Sequence, residues 1–217
     1  VHILRKMNRQ AYGLKWQFDR NILQHVCRVS VWSMFNQFIG VASWFAFFVA
    51  VEHLGEMELA ATNVIRSIST LFFVIVNSLA ATTGSLVGNL LGAGQKDLVL
   101  PLCNRVIRMG YAVGGPLIIL SIICFNPIFS IYSGNGDLMR TAHLPFVVAL
   151  LNYVFALPGY VYMNAVTGTG ATRTTFIFQA ATIIAYQIYL WSVSCFSTSL
   201  SVYWTAEYLY VILLGVL

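Results

Sequence analysis

Gly84-Ser85-Leu86-Val87-Gly88-Asn89-Leu90-Leu91-Gly92-Ala93-Gly94-Gln95-Lys96-Asp97 is where an apolar helix runs out through a glycine turn into charge. Gly84, Gly88 and Gly92 recur at every fourth position. On a helix with about 3.6 residues per turn they form a smooth strip where a second helix backbone can approach closely. Gly94 stands where the helix must stop, because glycine enters the left-handed conformation without a side-chain clash. Upstream lies roughly a membrane thickness of apolar residues, and downstream come Lys96, Arg105 and Arg108. The stretch reads as a helix leaving a membrane.

Composition agrees. Of 217 residues, 59% are hydrophobic and 9% charged, against about 25% charged in soluble domains. The net charge of +5 is unevenly placed. Ten of the twelve lysines and arginines lie before the first apolar span (Arg5, Lys6, Arg9, Lys15, Arg20, Arg28), beyond Gly94 (Lys96, Arg105, Arg108) and at Arg173. Clusters of this kind mark cytoplasmic loops, so a nucleic-acid partner is not needed to explain the positive charge. Cys27, Cys103, Cys124 and Cys195 are far apart and form no CxxC pair, which suits small apolar packing residues better than a metal site or disulfides. The chain begins at Val1 without the charge-core-small order of a signal peptide, and it is read as part of something longer.

Residues 1–29 mix six basic residues with Leu, Trp, Phe and Ile, a pattern that predicts an amphipathic segment on the cytoplasmic leaflet. Residues 30–217 then predict a lobe of six apolar spans, near 30–51, 59–91, 106–125, 143–166, 174–195 and 200–217. Loops alternate in charge. Glu52, Glu56 and Glu58 follow the first span, and the Gly94 turn with its basic residues follows the second. This predicts an amino terminus inside, with the loop 126–137 outside, the turn 167–173 inside and 196–199 outside.

The spans are striped. Asn63, Ser67, Thr70, Asn77 and Ser85 fall within an arc of about 80 degrees on the second, with Arg66 beside them. Ser30, Ser33, Gln37, Gly40 and Trp44 make a similar line on the first, as do Thr175, Gln179, Thr182, Tyr186 and Tyr189 on the fifth. Polar groups at this depth are expensive against lipid, so each stripe is expected to face other helices or a cavity. Gly114-Gly115-Pro116 and Pro158-Gly159 interrupt the third and fourth spans, where freed carbonyls need protein or water.

Catalysis has little to work with: there is no HExxH, and no two acids face each other along a span. Two charged residues do lie within spans. Glu207, between Tyr203 and Tyr210 on one face, is a candidate proton or cation site, or a carboxylate reaching the nearby interface. Arg66 is a second candidate ion-site residue, or it snorkels or pairs with an acid such as Glu58.

Glu52-His53-Leu54-Gly55-Glu56, Leu59-Ala60-Ala61-Thr62-Asn63-Val64-Ile65, the Gly84 to Gly94 run and Val166-Thr167-Gly168-Thr169-Gly170-Ala171-Thr172-Arg173 together resemble the multidrug and toxic compound extrusion (MATE) transporters. The resemblance covers nearly the whole chain and fits the carboxyl-terminal six of that family's twelve helices. It implies an all-α integral membrane protein, one six-helix lobe of a two-lobe antiporter in the cell membrane. An organic, often cationic, compound would move outward while sodium ions or protons run inward, with no other cofactor. Gln37, Trp44, Asn63, Thr70, Asn77, Gln179 and Tyr186 would then line one wall of the cavity. Gly84, Gly88, Gly92, Gly94, Gly168 and Gly170 would serve the hinges and helix packing. The implied partners are the lipid bilayer, a small organic substrate and an amino-terminal lobe absent from these residues, or else a second copy of the chain. One branch of the family carries acids midway along the first and fourth spans, where this chain has Val41 and Ala156 with their neighbours. Two other readings stay open: a flippase for lipid-linked oligosaccharides, whose cavity needs more basic residues than Arg66, and a membrane subunit that transports nothing.

Overall fold

The computed structural model describes residues 20–216 apart from 133, 135, 197 and 198. It is all helical, with no strand among the described residues. Helix α1 is Arg20–Glu52, α2 Glu56–Gly92, α3 Val99–Ile123, α4 Phe125–Tyr132, α5 Gly136–Leu151, α6 Tyr153–Gly168, α7 Thr172–Phe196 and α8 Leu200–Val216. Five stretches have the length and composition to cross a membrane: α1, α2, the helical run Lys96–Ile123, the pair α5 and α6 taken together, and α7. Helix α8 is apolar and shorter, at 17 residues. Of the 1–29 segment, residues 1–19 lie outside the described residues, and Arg20 already belongs to the helix that carries the first span.

Two expectations about the elements change. The stretch 126–137 is mostly helix α4 rather than a loop, because Phe125 and Phe129 are buried and stack with Phe146 of α5, their centroids 5.3 and 5.6 Å from its ring. The fourth span is two helices that meet at Asn152. Tyrosines bind carbonyls around this break. Pro158 has no N–H to offer the Val154 carbonyl one turn earlier, and the Tyr111 hydroxyl of α3 donates to it instead. In return Tyr153 donates to the Gly110 carbonyl of α3 at 2.8 Å, and Tyr208 of α8 donates to the Val148 carbonyl at 2.6 Å. Sequence shows Pro158; only the fold shows what answers it.

The closest backbone approach is between α2 and α6. A Cβ added at Gly84 would stand 2.9 Å from the Asn164 carbonyl oxygen, and one at Gly168 would stand 2.9 Å from the Gly84 carbonyl carbon. At Gly88 the nearest atom would be the Gly168 oxygen, at 3.3 Å. The strip ends there: Gly92 has nothing within 4 Å and carries no helix contact, because it lies in the last turn of α2, where α6 has already given way to its own turn. Gly94 adopts φ 74°, with its N–H on the Leu91 carbonyl and that of Gln95 on the Leu90 carbonyl, the double bond pattern that ends a helix through a left-handed residue. Gly170 takes φ 85° in the turn after α6.

The core lies between α2, α5, α6 and α8, with Ile65, Val76, Phe146, Leu157, Val161 and Tyr203 fully or almost fully buried. Helix α1 is bound mainly to α7, and Met34, Phe38, Val41 and Phe45 remain exposed along it. Of the cysteines, Cys103 is buried, while Cys27 and Cys195 sit on the apolar exterior.

Candidate functional site: a polar cavity between the first and seventh helices

A cavity of about 750 Å³ opens between α1, α2, α6, α7 and α8. The first-span stripe supplies Ser33, Gln37, Gly40 and Trp44 to it, and the α7 stripe supplies Thr175, Gln179 and Tyr186. The two helices that carry them are stitched by amides: Gln187 donates to Ser43 Oγ at 3.1 Å, and Gln179 reaches the Asn36 carbonyl at 3.5 Å. These bonds hold the two stripes side by side, so that side chains 140 or so positions apart in sequence share one wall.

The α2 stripe is divided by the fold. Asn77 lines the large cavity. Thr70 and Arg66 line a smaller neighbouring cavity instead. Asn63 lines neither; it is exposed near the start of α2. The arc spans more length than the cavity does. Most hydroxyls on and near this face are satisfied by their own helix: Ser67, Thr70, Ser78, Thr82 and Ser85 each donate to the carbonyl four residues earlier.

Glu207 lies at the deep end of the large cavity, 8% exposed, and its Oε1 accepts the Tyr186 hydroxyl at 3.0 Å. It does not reach out to an interface. Arg66 does not pair with Glu58: its guanidinium carbon lies 5.4 Å from the Trp44 ring centre and 4.8 Å from that of Phe48. Planar cations stack well on such rings. No lysine or arginine lines the large cavity, whose walls combine amides, hydroxyls, aromatic rings and one carboxylate with aliphatic side chains such as Val41, Ile183 and Leu214. Among the described residues no group of three His, Cys, Asp or Glu is placed to hold a metal.

Several contributors were not singled out from the sequence, among them three on one helix. Tyr160, Asn164 and Thr167 of α6 also line the cavity. They follow the same three-and-four spacing as the other stripes, a signal obscured by the proline break just before them.

A bundle of lipid-length helices around a cavity with amide and hydroxyl walls and a single buried carboxylate has the build of a multi-span membrane transporter. The MatE family model matches residues 33–193, and the chain is a member of that family. Curated relatives include the uncharacterized transporter C4B3.13 of Schizosaccharomyces pombe, 29% identical over 70% of this chain and 28% of its own length. The probable multidrug resistance protein YoeA of Bacillus subtilis is 23% identical over 64% of this chain and 30% of its own length. Among solved structures, an outward-facing multidrug resistance MATE family transporter of the MOP superfamily superposes with a TM-score of 0.79 at 14% identity. A MOP superfamily transporter from Pyrococcus furiosus, described as having a binding pocket of reversed polarity, gives 0.78 at 14%. In both cases 88% of this chain covers 43% of the solved one. The chain therefore spans less than half the length of the proteins it matches, as one lobe of a two-lobe transporter does.

Proposed function

We propose that this chain is the carboxyl-terminal lobe of an antiporter that exports organic, often cationic, compounds in exchange for protons or sodium ions across the cell membrane. The observation that carries this reading is the meeting of the α1 and α7 stripes on one cavity that contains Glu207 and bears no basic residue. A positively charged aromatic compound finds there the faces of Trp44, Tyr160 and Tyr210, amide oxygens of Gln37, Asn77 and Gln179, and a carboxylate. The exposed apolar side of α1 and the open cavity mouth suit a second six-helix lobe; a second copy of this chain is the alternative partner. The turns at Gly94 and Gly170 face the cytoplasm, where Lys96, Arg105, Arg108 and Arg173 cluster near them. The wall chemistry disfavours a lipid-linked pyrophosphate, which needs several cations.

The test is transport in proteoliposomes holding the complete protein, with a proton or sodium gradient imposed and a cationic dye such as ethidium as cargo. Gradient-dependent dye movement that Glu207→Gln reduces by about a hundredfold is the expected result. Dye movement indifferent to both gradients, or unchanged in Glu207→Gln, overturns the reading.

A further inference from the structure

Beside the large cavity lies a second one of about 200 Å³, and the two share Trp44, Asn77, Tyr160 and Glu207 as a common wall. The smaller cavity extends toward the end of the bundle where α1 finishes at Glu52 and α2 starts at Glu56, and Arg66, Ser69 and Thr70 lie on that side. The larger extends the other way, to Ser33, Thr167 and Thr172. Glu207 thus stands between two compartments that lead toward opposite ends of the lobe.

Three residues that line the smaller cavity each carry a buried polar atom with no partner. Asn152 Oδ1, Ser69 Oγ and Trp204 Nε1 form no hydrogen bond within the protein, although the residues are only 2, 6 and 3% exposed. Ser69 is telling because Ser67 and Thr70 on the same helix both return their hydroxyls to the backbone, while Ser69 does not. Burying such groups unpaired costs about 1–3 kcal/mol each, so something fills the space. The donor set says what. Trp204 Nε1 can only donate, Asn152 Oδ1 can only accept, and Ser69 Oγ does both. A bare sodium ion wants acceptors alone, and the indole N–H of Trp204 offers it none. Water satisfies all three, and the volume exceeds the 10–15 Å³ or so that one molecule needs.

We infer that the smaller cavity holds a short chain of ordered water that carries protons, and not sodium ions, between Glu207 and the outer end of the lobe. The inference deepens the antiport reading and rests on it for the role of Glu207. Glu207 Oε1 is engaged by Tyr186, so Oε2 receives the proton: a hydronium in the chain gives up H⁺, an O–H bond forms on the carboxylate, and neutral water remains. Release returns that proton to water in the larger cavity. The coupling proton and the exported compound therefore reach Glu207 from different cavities, across a wall shared with Trp44, Asn77 and Tyr160.

Two measurements on the complete reconstituted protein test this. The first is infrared difference spectroscopy of carboxyl deuteration, with the Glu207 band identified by its loss in Glu207→Gln. The Ser69→Val, Asn152→Leu double variant is expected to slow deuteration of that band by about tenfold when ethidium fills the larger cavity, and to leave ethidium affinity unchanged. The second is gradient-driven efflux: an inward proton gradient drives ethidium export, and a sodium gradient at equal pH on both sides does not. Unchanged deuteration in the double variant, or efflux driven by sodium alone, overturns the inference. Loss of ethidium binding in the double variant also counts against it, since it places these groups in the substrate wall. If Glu207→Gln transports like the unaltered protein, the antiport reading itself has failed. If Glu207→Gln is inactive but the double variant behaves normally, only the water route has failed.

Discussion

Replacing Gly168 with alanine is expected to loosen the lobe at its tightest crossing. The new Cβ would stand 2.9 Å from the Gly84 carbonyl carbon and closer still to its oxygen, whereas ordinary contact begins near 3.4 Å. Neither atom can swing aside, because both belong to the α2 backbone. The helices must part by at least about 0.5 Å along the crossing, and a gap of that size forfeits about a quarter of the dispersion energy of each pair that bridges it. Overpacking of this kind costs about 1–3 kcal/mol. Gly92→Ala is the matched control: it lies on the same strip of the same helix with nothing within 4 Å, so its effect is expected to be neutral or stabilising by up to about 0.5–1 kcal/mol through helix propensity. The assay is reversible unfolding of the purified protein in mixed micelles, followed by helical circular dichroism. Equal stabilities for Gly168→Ala and Gly92→Ala would refute the claim that α2 and α6 are held by backbone proximity.

Other expectations follow from the same geometry. Tyr111→Phe leaves the Val154 carbonyl unpaired and is expected to cost about 1–2 kcal/mol in the same assay. Adding Pro158→Ala, which supplies a new N–H one turn on, recovers part of that loss; strict additivity of the two changes would show that the hydroxyl does not replace the missing donor. Gly94→Ala forces a side chain into φ 74° and is expected to cost about 1 kcal/mol, with a protease-sensitive turn as its second signature. Asn77→Ala and Gln37→Ala are expected to weaken ethidium binding about tenfold with little change in unfolding midpoint, and a matching fall in stability would mark them as packing residues instead.

Much of this architecture is written in the chain. The helix end at Gly94, the apolar lengths, and the α1 and α7 stripes follow from residue spacing alone, because a helix turns the same angle per residue whatever surrounds it. Period fixes which side chains share a face. It says nothing of how far along the helix a neighbour stays in contact, which is why Gly92 and Asn63 carry the right periodicity and yet fall beyond the packed length. It also leaves a lone charge ambiguous. Glu207 and Arg66 look alike in sequence, each an ionisable residue near the end of an apolar span, and only the positions of Tyr186, Trp44 and Phe48 turn one into a buried cavity wall and the other into a stacked cation.

The chain alone therefore determined the helices, their faces and the polarity of each stripe, since these depend on bonds within a few residues. The tertiary structure decided which faces meet: that α1 lies against α7, that a tyrosine answers Pro158 of the broken span, and that Ser69, Asn152 and Trp204 come to line one space. Those contacts join residues separated by tens of positions, and the free energy that selects them belongs to the assembled bundle rather than to any segment of it.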